Sequence, residues 1–278
     1  MKKILLTTAA LLLASAMAVA AQAQERIDQK KPASPDGTVT ISNVAGSVVV
    51  KGWDSPEVSV TGTLGKGTER LEFESSDRRT TIRVILPRHA HDVDGSDLEI
   101  HLPAGSRVEV NAVSADVKAS GITGPMDIET VSGEIVTTGS PKDISVQTVS
   151  GSIQAEGQSG RIRAKTVSGR IVLKASQPED VQLGSVSGDL RYDGGLSARG
   201  SLDASTVSGS VELTLPAGLA ADFSVSTFSG SVDNAFHAAG GTSEKKMTGG
   251  EQLSFSTGGG GARVKVESFS GSVRLRTR

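Results

Sequence analysis

The sequence predicts an all-β fold, a parallel β-solenoid whose coils of about 18–21 residues each carry two short strands. Three observations predict it. A tetrapeptide of the form Thr/Ser-Val/Phe-Ser-Gly recurs along the chain, and apolar residues alternate strictly on either side of it. The composition also suits a thin aliphatic core, with 33 glycines, 3% aromatic residues and no cysteine among 278 residues.

The repeat occurs at Thr130–Gly133, Thr148–Gly151, Thr166–Gly169, Ser185–Gly188, Thr206–Gly209, Thr227–Gly230 and Ser268–Gly271. A weaker copy, Ala112–Ala115, precedes the series, and Asn43–Gly46 is an outlier near the start. Counted from Ala115, the intervals are 18, 18, 18, 19, 21, 21 and 41 residues. The last splits into 20 and 21 if Gly250 marks a degenerate copy. Such units are too short to be domains, so each is expected to be one coil of a stack.

Before each tetrapeptide the period is two, as in Ile144, Val146, Thr148 and in Ile162, Ala164, Thr166. That spacing specifies strand. After it the alternation resumes in the opposite phase, as in Val149, Gly151, Ile153. The chain must therefore bend or bulge between Thr and Val to keep both halves inward, and the glycine suits the tight corner. Returns such as Gly139–Asp143 and Gly157–Gly160 are rich in turn formers. Stacking would set Val over Val, Gly over Gly and Ser over Ser. A hairpin sandwich is the competing architecture, but it does not explain one fixed tetrapeptide per two strands.

Domain organisation follows. Residues 1–23 have Lys2 and Lys3, an apolar run and an Ala-x-Ala ending, and are expected to be a cleaved signal peptide. Residues 24–37, polar with Pro32 and Pro35, are expected to be a flexible linker. Residues 38–111 keep alternation without the regular repeat and are expected to be an irregular N-terminal β-cap, with a hairpin turn over residues 75–79. Residues 112–278 form the repeat solenoid, continuous with the cap. Near its end, residues 253–257 and 262–266 flank four glycines and admit either a local hairpin or another coil. The final strand, with Arg274, Arg276 and Arg278, is expected to be a charged terminal edge.

The net charge of −2 falls to about −4 once the two leader lysines are gone. This balance supplies no basic patch for nucleic acid, and no membrane insertion is expected after cleavage. No nucleophile elbow, phosphate loop, dinucleotide fingerprint or His-Glu-x-x-His motif occurs. The expectation is no catalytic residue, no cofactor and no metal. One cluster could hold a divalent ion, His89, His91, Asp92 and Asp94, but its glycine is misplaced for an EF-hand loop and an exposed strand connection is the preferred reading.

A solenoid enzyme acting on polysaccharide would need paired acids from neighbouring coils, for example Asp92, Asp94 or Glu134. The outward column after each glycine runs from Glu134 through Ser152, Arg170 and Asp189. A second runs Asp127, Ser145, Arg163, Gln182, Asp203, Ser224, Lys265. Signs alternate, and neither column sets two acids side by side.

The serial repeat, Leu102–Gly105, Leu215–Gly218 and Gly52–Asp54 together resemble the bacterial putative-adhesin family of exported β-solenoid domains, over about residues 38–278. The resemblance implies a non-enzymatic protein of the cell envelope, in the periplasm or at the cell surface. It brings no catalytic or ligand residues to carry over. The partner it implies is an envelope glycan, another envelope protein or a second copy. A polysaccharide lyase or hydrolase and a polymer-forming structural β-helix are the competing functions.

Overall fold

The structure, a computed structural model, describes residues 25–88, 93–236, 242–245 and 250–278. Every regular element among them is a strand. The first seven are β1 (Glu25–Pro32), β2 (Thr38–Trp53), β3 (Glu57–Leu64), β4 (Arg70–Ser76), β5 (Arg79–Ile85), β6 (Ser96–Pro103) and β7 (Arg107–Ser120). Five two-strand coils follow: β8 and β9 (Met126–Ser132, Ile135–Thr138), β10 and β11 (Asp143–Ser150, Ile153–Gln158), β12 and β13 (Arg161–Ser168, Ile171–Ala175), β14 and β15 (Asp180–Ser187, Leu190–Gly194), β16 and β17 (Ser201–Ser208, Val211–Leu215). The chain ends with β18 and β19 (Ala221–Ser229, Val232–Asn234), β20 (Thr242–Lys245), β21 (Glu251–Thr257), then β22 and β23 (Ala262–Ser270, Val273–Thr277).

The coils stack in parallel with equivalent residues in register. Ile144 lies over Met126 and under Ile162, Thr148 under Thr166, and Ser150 under Ser168. Inward residues form one core, in which Val146, Ile153, Ile171 and Val181 are fully buried. Each such aliphatic side chain contributes about 1.5–3 kcal/mol over leaving it in water. The wider β15 rung places Tyr192 in this core, and its hydroxyl donates to the Gly195 carbonyl. Burial pushes that phenol's pKa well up.

The corner explains the glycine of the repeat. A Cβ at Gly169 would lie 2.0 Å from the carbonyl oxygen of Gly151 in the rung below, and its φ of +158° disfavours a side chain. The buried Thr166 hydroxyl donates to that same carbonyl at 3.5 Å, a long bond, and Thr206 does the same to Gly188.

Several expectations need correction. The valine of the tetrapeptide does not turn inward. Thr148 is buried, Val149 and Ser150 both face solvent, and burial resumes at Ile153. The corner therefore presents two consecutive residues outward and absorbs the phase slip there. Residues 25–32, read as part of a flexible linker, form β1, paired antiparallel with β3 along its full length, and Ile27 is buried. Charged residues between its inward positions hid that strand. No coil starts at Gly250. Residues 251–257 are β21, an antiparallel partner of β18.

The last coil is also not the last rung. β22 pairs with β16 on one side and β18 on the other, and β23 lies between β17 and β19. The arginines of β23 therefore do not guard an edge, and Arg276 and Arg278 pair with Asp233 and Asp193 at 3.0 Å. The opposite end has the same construction. β2 lies between β7 on one side and β5 and β6 on the other, although β5 and β6 come between β2 and β7 in the chain. Antiparallel strands close both ends, β4 on β5 with β3 on β6, and β21 on β18 with β20 on β21. The 75–79 turn falls between β4 and β5 as expected, with Asp77 at φ 45°.

Candidate functional site

The residue after each buried corner residue, a Thr or Ser in the repeats and Asn43 and Ala112 in the first two rungs, projects from the corner, and register stacks these residues into one line. From the N-terminal end the line runs Val44, Val113, Val131, Val149, Val167 and Val186. It continues through Val207 and Phe269 to Phe228. These side chains are 37–56% exposed, and they are all of the exposed large hydrophobic residues among the described ones. Eight intervals of about 4.8 Å make the line roughly 38 Å long. The two phenylalanine rings stack at 4.8 Å with planes 7° apart. Beside the line lies a shallow trough of about 600 Å³, floored by Thr130, Thr148 and Thr166 and walled by Glu129, Gln147 and Lys165.

Elsewhere on the surface several opposite charges pair across rungs. Arg161 donates from Nε and Nη2 to the two carboxylate oxygens of Asp143, Lys174 binds Glu156 at 2.6 Å, and Arg170 approaches Asp189 at 3.6 Å. Arg161 holds the Asp143 carboxyl below its ordinary pKa. The Ser210 backbone amide, followed by its hydroxyl, does the same for Asp189. At the N-terminal end, Lys51 lowers the pKa of Glu99, and His101 stacks on Trp53 at 5.3 Å. The Trp53 indole donates to the Glu57 carbonyl at 2.9 Å.

Of the four candidate metal ligands, His89, His91 and Asp92 lie outside the described residues. Asp94 lies at the loop before β6, where its amide donates to the Lys66 carbonyl. Asp97, nearby in sequence, accepts from the Ser47 hydroxyl at 2.7 Å. Glu134 accepts from Gln154 at 2.6 Å. The outward column needs one amendment. Extended one rung towards the N-terminus, it sets Asp116 beside Glu134, and the second column extended likewise sets Glu109 beside Asp127, so acids adjoin in both. Asp116 is engaged structurally, accepting the Glu134 amide at 2.8 Å, as Asp189 accepts that of Ser210 at 3.0 Å. These carboxylates satisfy corner amides whose ladder partner is missing.

Sequence reasoning missed the apolar line because a valine in a period-two run reads as core. The signal was present in Val-Ser before each glycine, two residues sharing one side of a corner.

Fold and surface together define a class, the capped parallel β-solenoid that presents an apolar ladder along a charge-balanced rod. Residues 22–276 match the family described as Toastrack DUF4097, and the chain belongs to that family. Among solved structures it is similar to a "putative adhesin" from Bacteroides fragilis, at 12% identity and a TM-score of 0.50, covering 90% of this chain and 97% of that one. It is also similar to a "putative adhesin" from Parabacteroides distasonis, at 14% identity and TM-score 0.47, covering 91% and 98%. A "putative lipid binding protein" from the same species aligns at 12% identity and TM-score 0.29, covering 90% and 96%. No curated protein matches the chain.

Proposed function

We propose that the protein is an exported, non-catalytic binding module of the bacterial cell envelope. The observation that carries the proposal is the nine-rung apolar ladder. Lone exposed hydrophobic residues are ordinary on protein surfaces, whereas a continuous apolar stripe rimmed by polar residues marks an interaction face. Valines make no hydrogen bonds, so the ladder suits a protein surface better than a glycan. The non-catalytic reading is supported by Asp116, Asp143, Asp189 and Glu156, each already engaged by an amide or a cation. Export is supported by the leader-like residues 1–23, which lie outside the described residues. The adhesin names of the similar structures agree with this reading.

The test is retention. Immobilised protein is expected to hold envelope protein from detergent-treated cells, and Val149→Asp is expected to lower that retention at least tenfold. If wild type retains nothing while reducing sugar is released from uronic-acid polymers, the protein is an enzyme and the proposal fails.

A further inference from the structure

We infer that the ladder is a self-complementary face on which a second copy of this chain packs antiparallel, about a two-fold axis crossing the rod at the rung of Val149 and Gln147. The inference deepens the reading above by naming the partner, and it takes from that reading only that the ladder is an interface.

Charge order beside the ladder carries the argument. The residue preceding each buried corner residue (Thr, Ser, Asn43 or Ala112) forms a column parallel to the valines, on the far wall of the trough. Taking Gln147 as the centre, Glu129 is one rung away on one side and Lys165 one rung away on the other. Four rungs out stand Arg83 on the first side, through Asn111 and Ser42, and Glu267 on the second, through Gly184 and Ser205. A half-turn about an axis lying across the rod at Gln147 exchanges equal distances on the two sides. Glu129 of one copy then faces Lys165 of the other, and Arg83 faces Glu267, each twice. Every remaining pairing in that span joins uncharged residues. One strand further out, Glu72 meets Ser226.

No neighbouring axis does this. Centred on Lys165 or Glu129, the charge meets itself; half a rung either way, Glu129 and Lys165 both lose their opposite charge. A parallel arrangement about the valine line keeps valine on valine but carries the two charged columns to opposite sides, where they do not meet. The antiparallel operation sets Val149 on Val149, Val131 on Val167 and Val113 on Val186, apolar on apolar throughout. Gly184 and the exposed serines after Val113, Val131, Val149, Val167 and Val186 leave room for approach. Such an isologous contact closes at two copies, and its charge pattern fixes the register while apolar burial supplies the affinity.

The cysteine-free chain allows a direct test. Under mild oxidation, full-chain Val149→Cys is expected to form disulfide-linked dimers at least tenfold faster than Val113→Cys, because only residue 149 meets its own copy. In sedimentation velocity, Lys165→Glu is expected to weaken the dimer at least tenfold, and Glu129→Lys combined with Lys165→Glu to restore it. Equal cross-linking at 149 and 113, a wild type monomeric at every concentration, or a double reversal that fails to restore association overturns the inference. A monomer whose Val149→Asp variant loses envelope protein assigns the ladder to a foreign partner, overturning self-pairing while the binding reading stands. A dimer that retains no envelope material does the reverse.

Discussion

In the middle of the stack, from β8 to β17, each rung follows its predecessor in the chain, whereas at both ends the order in space departs from the order in sequence. β2 is inserted between two later segments, and β22 with β23 between two earlier ones. The middle shows how a rung is built: inward aliphatics, a hydroxyl at the corner and a glycine without which the backbones collide. The ends show how such a stack is finished. Terminal segments ordinarily fray because they are held on one side only. Here β2, β22 and β23 are held on both sides, and the exposed edges among the described residues fall to β1, β4, β19 and β20.

The sharpest way to break this contrast is to remove residues 262–278. In a sequential stack that would strip one rung from the end. Here it empties a slot, strips β16, β17 and β18 of one neighbour each and leaves β19 with none, so the expected loss exceeds that of any single substitution and is read as a collapse of the thermal transition. Hydrogen exchange sharpens it without mutation: the amides of β22 and β23 are expected to exchange as slowly as those of β12. Rapid exchange at β23 would mean that the slot is not held.

Gly169→Ala tests the corner. Positive-φ strain and the contact with the Gly151 carbonyl are together expected to cost about 3–5 kcal/mol by denaturant titration. Gly218→Ala, with nothing within 4 Å of the new methyl, is expected to stay within about 0.5 kcal/mol. Tyr192→Phe removes the donor to Gly195 and is expected to cost about 1–2 kcal/mol.

The smallest effect is the response to acid. Asp143, Asp189 and Glu99 have folded pKa values below those of the unfolded chain, so their contribution is complete above the ordinary carboxylate range and drains as pH falls through the folded values. Tm is expected to be level between pH 7 and 5 and to fall below about pH 4. The fall should be modest, because these groups are largely exposed.

Much of the middle was legible in the sequence because a rung is a local object. Ile144, Val146 and Thr148 announce a strand, and the repeat places the next one above it. Rung order at the ends was not legible, because Val207, Phe228 and Phe269 occupy equivalent corners and nothing near β22 says which two neighbours it joins. β1 was hidden by its charges and prolines. The candidate site was half legible: the alignment of Val over Val was readable, but its exposure depended on how the corner divides the phase slip between Thr148 and Ile153. Asp116 escaped notice beside Glu134 because its own copy of the tetrapeptide ends in Ala115 instead of glycine.

The slot between β17 and β19 also dictates when the molecule can be finished. A stack in simple chain order could zip shut behind the emerging polypeptide, one rung after another. This one must hold a gap open until residues 262–278 arrive, so that segment acts as a keystone. A chain lacking this segment would be left with an unfilled cleft, open to proteolysis.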